Sequence, residues 1–152
     1  MPTPIPSKII PSGSQSRQQE VSVFGEMAAG RYQGILFHLM GEYSGGEYNG
    51  GVWEMHEFEN GAVVWVFPKD GEIQTRTLNG YDPKCSMRTL SIALNMIVMS
   101  ILMSKLAEQK PLTSEAAAEI DKILNRMIQN FELTKDVGLS LGEYKAFLDI
   151  ID

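Results

Sequence analysis

The sequence predicts an α+β fold in which a three-stranded antiparallel meander packs on a central apolar helix with flanking helices. Three observations carry this expectation. Residues 89 to 109 hold Leu90, Ile92, Leu94, Met96, Ile97, Val98, Ile101, Leu102 and Leu106, apolar nearly all round a helix, so this segment belongs at the centre of the fold. Val52 to Phe58 and Ala62 to Phe67 are rich in β-branched and aromatic residues, with Asn60-Gly61 between them as a hairpin signal. Tyr32, Ile35, Leu36, Leu39, Met40 and Tyr43 paint one face of a helix running from Glu26 to Tyr43.

In chain order, residues 1 to 20 hold Pro2, Pro4, Pro6 and Pro11 among serines and glutamines, and read as a disordered tail too poor in apolar surface to offset its own ordering. Residues 21 to 152 are expected to form one domain. The first helix stops at the glycines after Gly41, where Glu42-Tyr-Ser-Gly-Gly and Glu47-Tyr-Asn-Gly-Gly form a short duplication. If Glu59 pairs with Ala62 around a two-residue type I′ turn, Met55 lies opposite Val66, and Trp53, Met55, Val64 and Val66 face the core. His56 then lies opposite Trp65 on the other face, flanked by Glu54, Phe58, Val63 and Phe67. Pro68 ends that strand, Asp70-Gly71 turns the chain, and Glu72 to Leu78 alternates as a third strand of the meander. Beyond the central helix, Thr113-Ser114-Glu115 opens a helix to about Phe131, with Ala117, Ile120, Leu124, Met127, Ile128 and Phe131 as its apolar stripe. Ser140 with Glu143 has the spacing of a capping box and opens a last short helix through Phe147, Leu148 and Ile151.

Composition excludes several function classes. Thirteen basic against 19 acidic side chains, a net of -6, are the wrong balance for gripping a nucleic-acid backbone, so no direct DNA binding is expected. The single cysteine, Cys85, permits no internal disulfide and no cysteine-rich metal site, and fits a reducing compartment. No apolar run is long enough to span a membrane and no secretion signal opens the chain, so a cytoplasmic protein with no membrane partner is expected. The glycine clusters lack the spacing and context of a phosphate loop.

The side chains able to carry chemistry are His38, His56, Cys85, Glu54, Glu57 and Glu59. Only His56 and Glu54 share a strand face, and no third group is spaced to complete a catalytic or metal constellation. An enzyme reading, a hydrolase using His56 and Glu54, therefore ranks below a solvated strand face, and neither a cofactor nor a metal is expected.

The run Tyr48-Asn-Gly-Gly-Val-Trp-Glu-Met-His-Glu-Phe-Glu-Asn-Gly-Ala62, followed by Val63-Val-Trp-Val-Phe-Pro68, resembles the ArdB/KlcA family of antirestriction proteins, whose signature has Tyr-x-Gly-Gly-x-Trp, an aromatic strand, an Asn-Gly turn and a strand closing in proline. The central helix and the Ile151-Asp152 ending are also similar, and the resemblance runs from about residue 24 to 152. The chain departs from the family in Ala62 and the strand after it, in an insertion at Ser44 to Glu47, and in the proline-rich tail. The resemblance implies a non-enzymatic protein, carried by plasmids or other mobile elements, that protects incoming DNA from host type I restriction through contact with a host defence protein complex. The alternative is an acidic inhibitor of another nucleic-acid-targeting defence complex, such as a CRISPR effector. On either reading the candidate interaction residues are Tyr48, Asn49, Trp53, Glu54, His56 and Trp65 at the hairpin and Asp152 at the last helix, the last chosen on the family-like Ile-Asp ending.

Overall fold

A computed structural model describes residues 7–48, 50–134 and 141–152. The element order is β1 (Ser7–Ile10), α1 (Ser14–Phe24), α2 (Glu26–Tyr43), β2 (Glu54–Phe58), β3 (Val63–Val66), β4 (Glu72–Gln74), β5 (Lys84–Ser86), α3 (Met87–Ala107), α4 (Ser114–Leu133) and α5 (Leu141–Ile151). The class is α+β, with a three-stranded antiparallel sheet in the order β1-β2-β3 and a separate ribbon of β4 with β5.

Helix α3 is the core. The consecutive residues Leu90 to Met96 are all buried, so this stretch is enclosed on every side. The Ser86 hydroxyl caps it by accepting from the Thr89 N–H at 3.1 Å. Two polar side chains inside α3 have specific work. Asn95 Oδ1 accepts from the Tyr32 hydroxyl at 2.6 Å and from the Trp65 N–H at 3.1 Å, while Nδ2 donates to the carbonyls of Trp65 and Ser91, both at 2.7 Å. The Ser91 hydroxyl accepts from the Phe67 N–H at 3.1 Å. The helix thus supplies along β3 the hydrogen bonds that a further strand would supply.

This explains the first correction. The expected third strand does not join the hairpin: Glu72–Gln74 pairs with Lys84–Ser86, because the β3 edge is occupied by α3. The third strand comes from the segment expected to be a disordered tail, with Ser7 opposite Phe58 and Ile10 opposite Met55. Residues 14 to 20 of that segment are helical too. The helix α1 buries Ser16, Glu20, Val23 and Phe24, one face at helical spacing of which half is polar, so no apolar periodicity announces it. Its polar inward groups have partners: the Ser16 hydroxyl donates to the Gly13 carbonyl at 3.0 Å, and Gln33 Nε2 donates to Glu20 at 2.7 Å.

The hairpin register is also corrected, by one residue. Met55 lies opposite Trp65 and His56 opposite Val64, so Trp65 shares the face of Met55, and Val64 and Val66 share that of His56. The cause is the turn. Phe58 pairs with Ala62 and the Gly61 N–H donates back to the Phe58 carbonyl at 2.9 Å, giving a three-residue loop with Gly61 at φ +90°. That is the bulged loop rather than the two-residue turn, and a one-residue change exchanges the faces of one strand relative to the other.

Helix α4 turns an unexpected side inward. Ala116, Glu119, Ile123, Asn130 and Leu133 are buried, whereas Leu124, Ile128 and Phe131 of the expected core stripe are 45, 49 and 36 % exposed. Its polar side chains make tertiary contacts that fix this rotation. The Glu119 carboxylate accepts from the Ala28 N–H at 2.9 Å and the Met27 N–H at 3.2 Å, capping the start of α2 from another helix. Arg126 donates to the Gly61 carbonyl at 2.9 Å, and Asn60 at the hairpin tip donates to the Gln129 carbonyl at 2.9 Å. Gly25, at φ +96°, leaves the room: a Cβ there would lie 2.2 Å from Glu119 Cγ. The Ser140 of the expected capping box lies outside the described residues, and the Glu143 carboxylate accepts instead from the Ser86 N–H at 2.9 Å.

Candidate functional site

The glycine-rich lead-in to β2 is an aromatic knot. Trp53 packs with its ring centroid 5.3 Å from that of Phe37, 5.4 Å from that of Phe67 and 5.8 Å from that of Tyr48, and Tyr48 lies 5.1 Å from Phe67. The Trp53 Nε1–H donates to the Tyr48 hydroxyl at 3.0 Å. A Cβ on Gly51 would sit 2.7 Å from the Phe67 ring, at φ +139°, so the second glycine of the Tyr-x-Gly-Gly-x-Trp run is required by close packing. Tyr48 is half-buried and Trp53 is buried, so this run builds the lead-in, and Asn49 lies outside the described residues.

Trp65 is 4 % exposed and lines a hollow of about 240 Å³ with Ser16, Gln33, Phe37, Gly51 and Trp53. Its indole N–H and Glu20 Oε2 are buried without a hydrogen-bond partner. Burial pushes the Glu20 carboxyl above its ordinary range, against the opposing pull of Gln33, Arg17 and the nearby Trp65 indole.

His56 and Glu54 do meet, and the structure adds a third group that sequence reasoning missed. His56 Nε2 lies 3.2 Å from Glu54 Oε1, and Nδ1 lies 2.7 Å from the Ser7 hydroxyl of β1. Ser7 was hidden because its segment read as a tail. A hydroxyl, an imidazole and a carboxylate in line have the order of a hydrolytic triad, but acyl transfer also needs donors aimed at a developing oxyanion. The surface depression beside Ser7 is lined by Lys8, Phe58, Glu57 and Glu59, two carboxylates against one ammonium. Ile9, opposite His56, is 52 % exposed, but Val64, Val66 and Phe58 on the same face are buried, so the His56 imidazole is itself largely covered. The Ser7–His56 hydrogen bond ties β1 to β2.

The remaining titratable candidates are placed elsewhere. His38 is exposed on α2, 3.2 Å from Glu42 one turn on. Cys85 is buried opposite Ile73, and its thiol is pushed up to about 12, by burial first and then by Glu143 and Glu72. Among the described residues, no three His, Cys, Asp or Glu side chains group to hold a metal ion.

Asp152 belongs to a different surface. A groove of about 320 Å³ is lined by Tyr43, Met96, Ile97, Ser100, Ile101, Met127, Ile150, Ile151 and Asp152, from α2, α3, α4 and the end of α5. Ile97, expected in the core, is a half-buried residue of this groove. Asp152 is held at the rim: its N–H donates to the Leu148 carbonyl at 3.1 Å, and Asn79 Nδ2 donates to the carbonyls of Asp149 at 2.8 Å and Asp152 at 2.7 Å. Asn79 lies between β4 and β5, and nothing in its local sequence announces these contacts. Among the described residues, none of the hairpin candidates lines this groove, so Asp152 stands apart from Tyr48, Trp53, Glu54, His56 and Trp65.

These features define a mixed α+β protein whose sheet edge is closed by a buried helix, with an aromatic hairpin on one surface and an apolar groove on another. That architecture is the fold of the KlcA and ArdB proteins. A solved structure of those proteins, described as showing a novel fold and antirestriction activity against Type I DNA restriction systems in vivo but not in vitro, matches 99% of this chain and 98% of its own at a TM-score of 0.69 and 18% identity. No family profile and no curated protein sequence matches the chain.

Proposed function

We propose that this chain is a non-enzymatic antidefence protein that protects incoming mobile-element DNA from host type I restriction, acting in the cytoplasm through contact with a host protein. The observation that carries the reading is the shared fold over 99% of this chain and 98% of a structure with that activity. The net charge of -6 supports a protein partner over the nucleic acid itself. Because the KlcA and ArdB activity is described in vivo but not in vitro, the reading for this chain includes a cellular component beyond the isolated restriction enzyme.

The test is the plating efficiency of unmodified phage on otherwise identical hosts with and without a type I system, with the chain expressed from a plasmid. Protection confined to the restricting host supports the reading. Equal plating with and without the chain on every type I host tested overturns it.

A further inference from the structure

We propose that the groove between α3, α4 and α5 docks a protein segment that presents an apolar side chain next to a lysine or arginine. The inference rests on the protein-contact reading above and names the chemistry of the partner. The apolar walls of the groove are Met96, Ile97, Ile101, Met127, Ile150 and Ile151, beside the polar Tyr43 and Ser100, and the two methionines adapt to an entering side chain. Its volume of about 320 Å³ exceeds that of any single side chain and suits a short helical ridge.

The surface around it is apolar as well. Leu124, Ile128 and Phe131 lie within about one turn of Met127 on α4, and all three are exposed because Glu119, Arg126 and Asn130 face the other way. This exposure is fixed by the fold. Rotating α4 to bury the stripe would break the cap on α2 and the clamp on the hairpin tip.

Charge decides the partner. Among the described residues that line the groove, Asp152 is the acidic one and none is a lysine or arginine. The carboxylate stands at the carbonyl end of α5, where the helix dipole adds to the negative potential. Asn79 holds this end in place, so the carboxylate is presented at a fixed rim rather than on a fraying turn. A cation beside an apolar side chain matches both features, whereas an acidic segment is repelled.

The experiment uses an amidated helical peptide of leucine, alanine and arginine, and a second peptide with glutamate in place of arginine, titrated into the full chain with methyl NMR of Ile97, Ile101, Met127 and Ile151. The arginine peptide is expected to shift these methyls. Asp152→Asn is expected to weaken its binding by roughly threefold, the scale of one exposed ion pair. Equal binding of the glutamate peptide, shifts confined to other surfaces, no binding by either peptide, or a concentration-dependent dimer that buries these methyls overturns the proposal.

In cells, Ser100→Arg and Leu124→Glu change exposed positions and are expected to abolish protection with an unchanged melting temperature, while Lys122→Glu on another side of α4 keeps it. If the original chain protects and both groove variants protect equally, the groove proposal fails and the antirestriction reading stands. If the original chain does not protect, that reading fails and the peptide titration alone decides the groove.

Discussion

At the scale of single residues, Asn95 concentrates the most structure. All four of its hydrogen bonds are used inside the protein, and they join α2, α3 and β3. Asn95→Leu leaves the N–H and carbonyl of Trp65 and the hydroxyl of Tyr32 buried without partners, and is expected to cost about 3 kcal/mol or more in urea unfolding. Asn95→Asp should cost more, since it sets a carboxylate against two carbonyls. Glu20 sets a pH dependence. Its carboxyl is raised in the folded chain by burial, so between the unfolded and the raised folded value the native state binds more protons than the unfolded state. The corresponding stability is fully present below the unfolded carboxyl range and is lost as the pH rises through the raised folded value. Glu20→Gln removes the titration, and melting curves between about pH 4 and pH 8 should then fall less steeply with rising pH than those of the original chain. An unchanged slope would show that Glu20 does not titrate between the two states. Asp152 belongs at this scale too: Asp152→Ala should reduce phage protection while leaving the melting temperature equal or slightly higher, because it removes a negative charge from the carbonyl end of α5.

At the scale of elements, β1 carries a sharp expectation. Deleting residues 2 to 12 strips the outer edge of β2 and leaves its N–H and carbonyl row unpaired, so the truncated chain should melt several degrees lower and self-associate in light scattering. A midpoint unchanged by the deletion would show that β1 contributes nothing to the fold. The elements legible in the sequence were those whose inward face is apolar. The bounds of α2 coincide with its periodic run, and α3 is announced by its continuous apolar surface. Elements that turn polar groups inward were misread or invisible, for a physical reason in each case. The inward side of α1 includes Ser16 and Glu20, and that of α4 includes Glu119 and Asn130, so hydrophobic periodicity is silent for the first and points to the wrong side of the second. The hairpin was evident from Asn60-Gly61, but its register depends on whether Gly61 belongs to the turn or to a bulge, which two letters do not distinguish. The candidate site divides the same way. His56 with Glu54 was readable from alternation along one strand, whereas Ser7 and Asn79 reach their partners across 49 and about 70 residues.

At the scale of the whole molecule, Cys85 reports on global opening. Its thiol is buried and pushed up to about 12, so at pH 8 its thiolate population is about a thousandfold below that of an ordinary exposed thiol. Labelling by an aromatic disulfide reagent should therefore be slow in the native chain and become fast across the same urea range as the loss of helical signal. Fast labelling of the native chain would show that the β4–β5 ribbon opens on its own. The carboxylate of Glu119 extends this cooperativity along the chain. The N–H groups that open α2 are satisfied by a side chain 91 and 92 residues further on. A ribosome makes α2 early and its cap late, so the amino-terminal half emerges with its helix start still bonded to water and is finished only when α4 follows. Order of synthesis and order of completion run in opposite directions here: the first half of the protein is closed by the second.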